Sequence, residues 1–158
     1  MTKPTVYVET TVISYRVAAP SRDLIVAAHE QLTRTWWEQA LPALEPYVSP
    51  FVLDEIARGD STAARERLDA VATFSVLGAP PEVEDLARRY FDAIAIPAKA
   101  RIDSFHLATA AWHGMDYLVS WNWTHIASAR VRRIVAGIND ALEIRTPVIC
   151  TPEELMEV

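Results

Sequence analysis

An α/β domain with a mostly parallel central sheet is the fold this sequence predicts, on three observations. Short β-branched or aromatic runs recur along the chain, each set against longer segments of helical periodicity. Strands separated by helices instead of tight hairpin turns are joined by crossovers, so they lie parallel with helices on both faces of the sheet. The third observation is compositional. The 158 residues, 51% apolar and 23% charged, supply one full hydrophobic core, and no repeat, low-complexity stretch or linker divides residues 1–158.

The elements follow in order. Thr5-Val6-Tyr7-Val8 is a strand run suited to the centre of a sheet, and Glu9 follows it directly. Ser21 and Asp23 are capping residues for a helix that carries Leu24, Ala27, Ala28, Leu32 and Trp36 to about Ala40. Tyr47-Val48-Ser49 is a brief second strand stopped by Pro50, and Phe51 to Ala57 makes one or two helical turns ended by Gly59. Asp60 or Ser61 caps a helix with Ala64, Leu68 and Val71 on its apolar stripe. Thr73 to Leu77 is a third strand, and Pro80-Pro81 opens a helix bearing Val83, Leu86, Ala87 and Tyr90.

The stretch from Arg101 to Ser128 organises the rest. It reads as a helix from near Asp103, a reversal at His113-Gly114, and the strand Tyr117-Leu118-Val119. A helix of roughly ten residues covers about 15 Å, and the strand runs back beside it. Asp103 is therefore expected near Asn122, just past the strand's end. Residues 126–142 are helical in pattern, residues 146–150 form a last strand, and Thr151-Pro152-Glu153-Glu154-Leu155 opens a closing turn of helix.

Several function classes are disfavoured at this level. No apolar run approaches the roughly 20 residues of a membrane helix, and the N-terminal MTKPTVYVETT lacks the apolar core of a signal peptide. The single Cys150 makes no internal disulfide, so a reducing cytoplasm is the expected compartment. A net charge of −6 argues against a surface built wholly for nucleic acid. An acidic protein can still process nucleic acid if bound metal neutralises some of its carboxylates.

Four polar residues, Glu9, Glu55, Asp103 and Asn122, fall after strands or at the starts of the following helices, where open α/β sheets place their ligands. Clustered carboxylates there suit a hard divalent cation, Mg²⁺ or Mn²⁺, which lowers the pKa of a bound water and offsets phosphodiester charge. No Cys/His spacing supports zinc, and no Gly-rich phosphate loop or G-x-S-x-G elbow is present. His106 and His125 lie close in sequence to this group and read first as hydrogen-bonded structural histidines. Arg130, Arg132 and Arg133 form a basic patch for backbone phosphates, or else a solvated helix face. Trp121 and Trp123 flank Asn122 and offer rings for stacking on unpaired bases, although indoles more often pack. Trp36-Trp37 belongs to the core or to an interface.

Taken together, these residues resemble a family. Val6-Tyr7-Val8-Glu9-Thr10-Thr11, Val52-Leu53-Asp54-Glu55-Ile56, Ile102-Asp103-Ser104-Phe105-His106-Leu107-Ala108 and Leu118-Val119-Ser120-Trp121-Asn122 occur in the order of PIN-domain motifs. The tail from Thr146 to Leu155 is similar to that of the bacterial subgroup related to VapC toxins, and the resemblance covers essentially the whole chain. It implies a three-layer α/β/α sandwich with an acidic Mg²⁺ or Mn²⁺ pocket, and a metal-dependent ribonuclease acting on RNA. It further implies the toxin of a toxin–antitoxin pair, with an antitoxin partner and a homodimer. Glu9 takes the place of the usual first-strand Asp, Glu55 of the second acid and Asp103 of the third. Asn122 stands where many members have a further Asp, and Ser120 in the Thr/Ser position before it, with Thr10 or Ser120 positioning a ligand or phosphate. Glu9 is one methylene longer than Asp, and Asn122 lacks a charge. The alternative expectation is thus a catalytically weak or inactive PIN-fold module that binds protein or RNA. A small-molecule phosphohydrolase fits less well, because Glu9 stands where it would need a nucleophilic Asp.

Overall fold

A computed structural model describes residues 2–158. Five strands, β1 (Thr5–Val8), β2 (Glu45–Val48), β3 (Ser75–Val76), β4 (Tyr117–Val119) and β5 (Val148–Cys150), form one sheet in the order β3-β2-β1-β4-β5. Every pairing is parallel. Seven helices complete a three-layer α/β/α sandwich: α1 (Thr10–Val17), α2 (Leu24–Gln39), α3 (Pro50–Ile56), α4 (Ser61–Ala70), α5 (Pro81–Ile94), α6 (Ile102–Trp112) and α7 (Ala129–Ala141). Helix α1 packs against α2, α3 and α4, while α5 packs against α6 and α7. No helix among the described residues is long and apolar enough to cross a membrane.

The central position of β1 explains its sequence. Val6, Tyr7 and Val8 are fully buried, as a strand covered on both faces requires. Pro46 lies inside β2, a strand that begins earlier than its β-branched residues indicate. Proline cannot donate to a ladder. It is accommodated because β3 pairs only with Tyr47 and Val48, leaving no strand beside Pro46 on that side.

Local signals set most helix starts. The carboxylate of Asp23 accepts from the amides of Ile25 and Val26, Ser49 caps α3 ahead of Pro50, and Asp60 caps α4. The structure departs from the sequence reading in four places. Helix α1 begins immediately after Glu9, where no helix is expected. The edge strand β3 is only two residues long and exposed. Helix α7 starts at Ala129, because Ser128 accepts from the Val131 amide and the preceding residues form turns. The expected closing helix after Pro152 is a set of turns. Thr151 and Glu154 bond each other reciprocally, as in a capping box, with no helix to follow.

Helix α5 ends on Ala95 in the left-handed conformation, at φ 61° and ψ 47°. A side chain there costs about 1–2 kcal/mol relative to the right-handed region. Ala95→Gly removes that strain but adds freedom to the unfolded chain, an offset of about 0.4–1 kcal/mol. The variant is expected to gain about 0.5–1 kcal/mol in urea denaturation. A loss would show that the Ala95 methyl contributes packing that outweighs the strain.

Candidate active site

The sheet order dictates which residues meet. With β2 on one side of β1 and β4 on the other, the chain segments leaving these three strands converge at one edge. Glu9 follows β1, Ser49 and α3 follow β2, and Ser120-Trp121-Asn122 follow β4. The first turns of α6 carry Asp103 and His106 to the same place.

Glu9 is the N-cap of α1, an unusual role for glutamate, since Ser, Thr, Asp and Asn have the shorter reach that a cap requires. Its side chain folds back so that Oε2 accepts from the Thr11 amide at 2.9 Å and Oε1 from the Thr11 hydroxyl at 2.7 Å. The Ser120 hydroxyl also donates to Oε1. Burial pushes the Glu9 carboxyl above its usual range, against the opposing pull of His106 and these hydrogen bonds.

Glu55 and Asp103 each meet a histidine. His106 Nε2 lies 2.6 Å from Glu55 Oε1, which also accepts from the Thr10 hydroxyl at 2.8 Å. The other ring nitrogen, Nδ1, is 2.7 Å from the Tyr7 hydroxyl, and that hydroxyl is 2.7 Å from Ser49 Oγ. Burial alone would raise the Glu55 carboxyl, but the hydrogen bond and charge of His106, the Thr10 hydroxyl and Arg58 together hold it below its usual range. Burial likewise opposes the charge on His106. The Glu55 hydrogen bond and the carboxylates of Glu9, Glu55 and Asp103 outweigh it, and the imidazole is raised. Three carboxylates thus act on one fully buried ring.

Asp103 is joined to Asn122 through a third residue. His125 Nδ1 lies 2.8 Å from Asp103 Oδ2, and the His125 amide donates to Asn122 Oδ1 at 3.0 Å. The Asn122 amide in turn donates to Ser120 Oγ at 2.9 Å, closing a chain from Asp103 to Glu9.

The expected residues therefore separate into two sets. Glu9, Glu55, Asp103, Asn122, Thr10 and Ser120 lie at one mouth in two hydrogen-bonded groups, Thr10 and Glu55 with His106, and Glu9, Ser120, Asn122 and Asp103 with His125. Arg130 and Arg133 do not bond to it. Arg130 donates to the Ile94 carbonyl, and both arginines line a separate surface cleft on α7 with Ile134 and Ile138. Arg132 is engaged by Glu154 and the Ile149 carbonyl. Trp121 is packed and only 4% exposed, with Nε1 donating to Thr33, so its face is not free for a base. The sequence reading gives no part to Thr11, Tyr7 or Ser49, and takes His106 and His125 as hydrogen-bonded structural histidines; both are hydrogen-bonded, each to an acid of the mouth. A hydroxyl two residues after a strand-end acid, and histidines three residues after Asp103 and Asn122, are the signals that point to Thr11, His106 and His125, whereas nothing in the sequence points to Tyr7 or Ser49.

The donor chemistry is that of a hard cation: carboxylate oxygens with hydroxyls behind them. Their present arrangement is closed. Both Glu9 oxygens, Glu55 Oε1, Asp103 Oδ2 and Asn122 Oδ1 are engaged, and no group of three or more His, Cys, Asp or Glu side chains among the described residues is placed to hold a metal. Glu55 Oε2 and Asp103 Oδ1 carry no hydrogen bond among the described residues. A scan against protein-family models finds no match, and a search of curated proteins finds none either.

Proposed function

We propose that this chain is a metal-dependent ribonuclease that hydrolyses RNA phosphodiester bonds. Glu9, Glu55 and Asp103 would hold Mg²⁺ or Mn²⁺, and Asn122 would complete or orient the shell. The observation that carries this reading is the placing of Glu9, of Glu55 bonded to the buried His106, and of Asp103 bonded to His125 at the edge where the β1, β2 and β4 segments meet. Like charges gathered in this way require a compensating cation. His106 sits among them here, and a divalent ion is the stronger compensation. When bound, such an ion supplies a water of lowered pKa and offsets the charge of the phosphodiester. The chain's own residues fix the carboxylates: Thr11 and Ser120 hold Glu9, Thr10 orients Glu55, and His125 ties Asp103 to Asn122. The resemblance to PIN domains of the VapC-related subgroup supports the same chemistry. With it go a cytoplasmic toxin role, an antitoxin that covers the mouth, and a homodimer.

A second reading is favoured by the closed arrangement of the carboxylates. If His106 and His125 satisfy them permanently, the protein is a binding module that lacks catalysis.

Calorimetric titration with Mn²⁺ separates the two. The ribonuclease reading expects binding by the wild type and its loss in Asp103→Asn, with circular dichroism showing both folded. It also expects Mn²⁺-dependent cleavage of unstructured RNA to fall at least about 100-fold in the variant, since even outer-shell partners of a metal are worth 10–100-fold. Wild-type protein that takes up no Mn²⁺ at millimolar concentration and cleaves no RNA would establish the binding module.

A further inference from the structure

We propose that the open face formed by Trp123 and His29 is a stacking subsite for an unpaired nucleobase of an RNA strand whose backbone lies at the carboxylate mouth. The proposal rests on RNA being the ligand, as in the preceding reading, but not on its cleavage.

Four rings, contributed by α1, α2 and the turn after β4, form the platform. His29 stacks on Trp121 with centroids 4.1 Å apart and planes 14° from parallel, and Tyr15 stacks more loosely on His29 at 6.4 Å. Trp121 is locked from behind: its amide donates to the Thr11 hydroxyl at 2.9 Å and its Nε1 to Thr33 at 2.7 Å. Trp123 closes the group differently. It sits 6.2 Å from His29 and 6.0 Å from Trp121, tilted by 43° and 53°, so it lies flat on neither ring. It is 47% exposed. The Trp123 ring is thus left open to solvent beside the locked Trp121.

Its position ties it to the mouth. Trp123 follows Asn122, whose Oδ1 accepts from the His125 amide, and His125 contacts Asp103. Trp121, against which His29 lies, is fixed by Thr11, the residue that holds Glu9. In the proposed pose a strand with a phosphate at the carboxylates sets a neighbouring base on this platform. Every base has a π-face, and stacking on an aromatic side chain tolerates sequence but requires an unpaired base. A paired duplex buries those faces. Leu24 and Ile25, in the first turn of α2, are 86% and 70% exposed, and a protein partner would cover them as well. The choice between these occupants belongs to the test.

The experiment uses the full chain with Mn²⁺ and an RNA oligomer of phosphorothioate linkages that resist hydrolysis, so that the carboxylates are neutralised while binding is read without cleavage. The oligomer, short, unstructured and carrying 2-aminopurine, is titrated with wild type, Trp123→Ala, Trp123→Phe and His29→Ala, each checked by circular dichroism. Wild type should bind and quench the probe. Trp123→Ala should lose about 5- to 150-fold in affinity, the range for removing one stacked base, and should lose the quenching. Trp123→Phe, which keeps a ring, should retain most of both. His29→Ala should fall between them, and a matched duplex should be insensitive to all three. Unchanged affinity in Trp123→Ala overturns the subsite and is the result expected if the face serves a protein. Absence of wild-type binding at about 100 μM, where a contact of about 5–6 kcal/mol would be seen, also overturns it. A wild type that stacks the probe but cleaves no unmodified RNA with Mn²⁺ supports the subsite and sinks the nuclease reading. A wild type that cleaves, with Trp123→Ala binding equally well, does the reverse.

Discussion

Replacing Glu55 by Gln is expected to destabilise the metal-free protein most at mildly acidic pH and progressively less as the solution is made alkaline. The reason is the pair that Glu55 forms with His106, whose side chain is wholly buried while that of Glu55 is 25% exposed. The sign follows from both directions of shift. His106 is raised above its ordinary 6.5, so its contribution is fully present below that value and is lost as pH climbs through the raised one. Glu55 is lowered below its ordinary 4.5, so its contribution is present above that value and is lost as pH falls through the lowered one. The pair therefore stabilises most between about pH 4.5 and 6.5. Breaking a fully buried pair costs about 3–5 kcal/mol, and partial exposure of Glu55 reduces this to about 1–3 kcal/mol. Urea denaturation in EDTA at several pH values checks the prediction. A deficit that stays constant into the alkaline range would mean that His106 is neutral throughout, with a hydrogen bond as its only tie to Glu55.

Trp36→Ala is expected to produce the largest loss of stability of any single replacement considered. Trp36 is the largest fully buried side chain, and it meets Trp37 edge-on with centroids 6.2 Å apart. Emptying such a site costs about 3–5 kcal/mol, or roughly 6–20 °C in melting temperature for a chain of this size. Trp36→Phe provides the informative contrast. The indole Nε1 is buried and has no hydrogen-bond partner among the described residues. An unsatisfied donor of this kind carries a penalty of about 1–3 kcal/mol, which phenylalanine removes while keeping a ring in place. The Phe variant should therefore lose less than about 2 kcal/mol. If it is as unstable as the Ala variant, the volume of the indole outweighs its stranded N–H.

The parts of this fold that were legible in the sequence are those specified by neighbours in the chain. Asp23, Ser49 and Asp60 cap their helices through amides two or three residues away, and Pro81 opens α5 from its first turn. Helix α1 was hidden for the complementary reason. Its sequence Thr-Thr-Val-Ile-Ser-Tyr-Arg-Val is rich in β-branched residues, and its cap is a glutamate that reaches back over one extra methylene. In the mouth, strand ends placed Glu9 and Asn122, the short helix after the second strand placed Glu55, and the helix lying back along the Tyr117–Val119 strand placed Asp103 near Asn122, all readings that need only the local alternation of strand and helix. Spacing could not reveal the partners of those residues. His106 meets Glu55 across 51 positions and Tyr7 across 99, contacts that exist only once the order of the strands is known. Trp121 and Trp123 look equivalent in sequence, but the first turns inward to Thr33 and only the second reaches solvent.

The hydrogen bond between Ser120 and Glu9 spans 111 residues and has a consequence for synthesis. At about 5–20 residues per second, the ribosome needs roughly 5–20 s after producing Glu9 before Ser120 exists to hold it. For most of that interval β1, the middle of the finished sheet, has no β4 beside it, Asp103 arrives only near its end, and His125 follows after it. Every nascent chain therefore passes through this stage of translation with its acidic mouth in pieces, and the mouth closes only once the ribosome has passed His125.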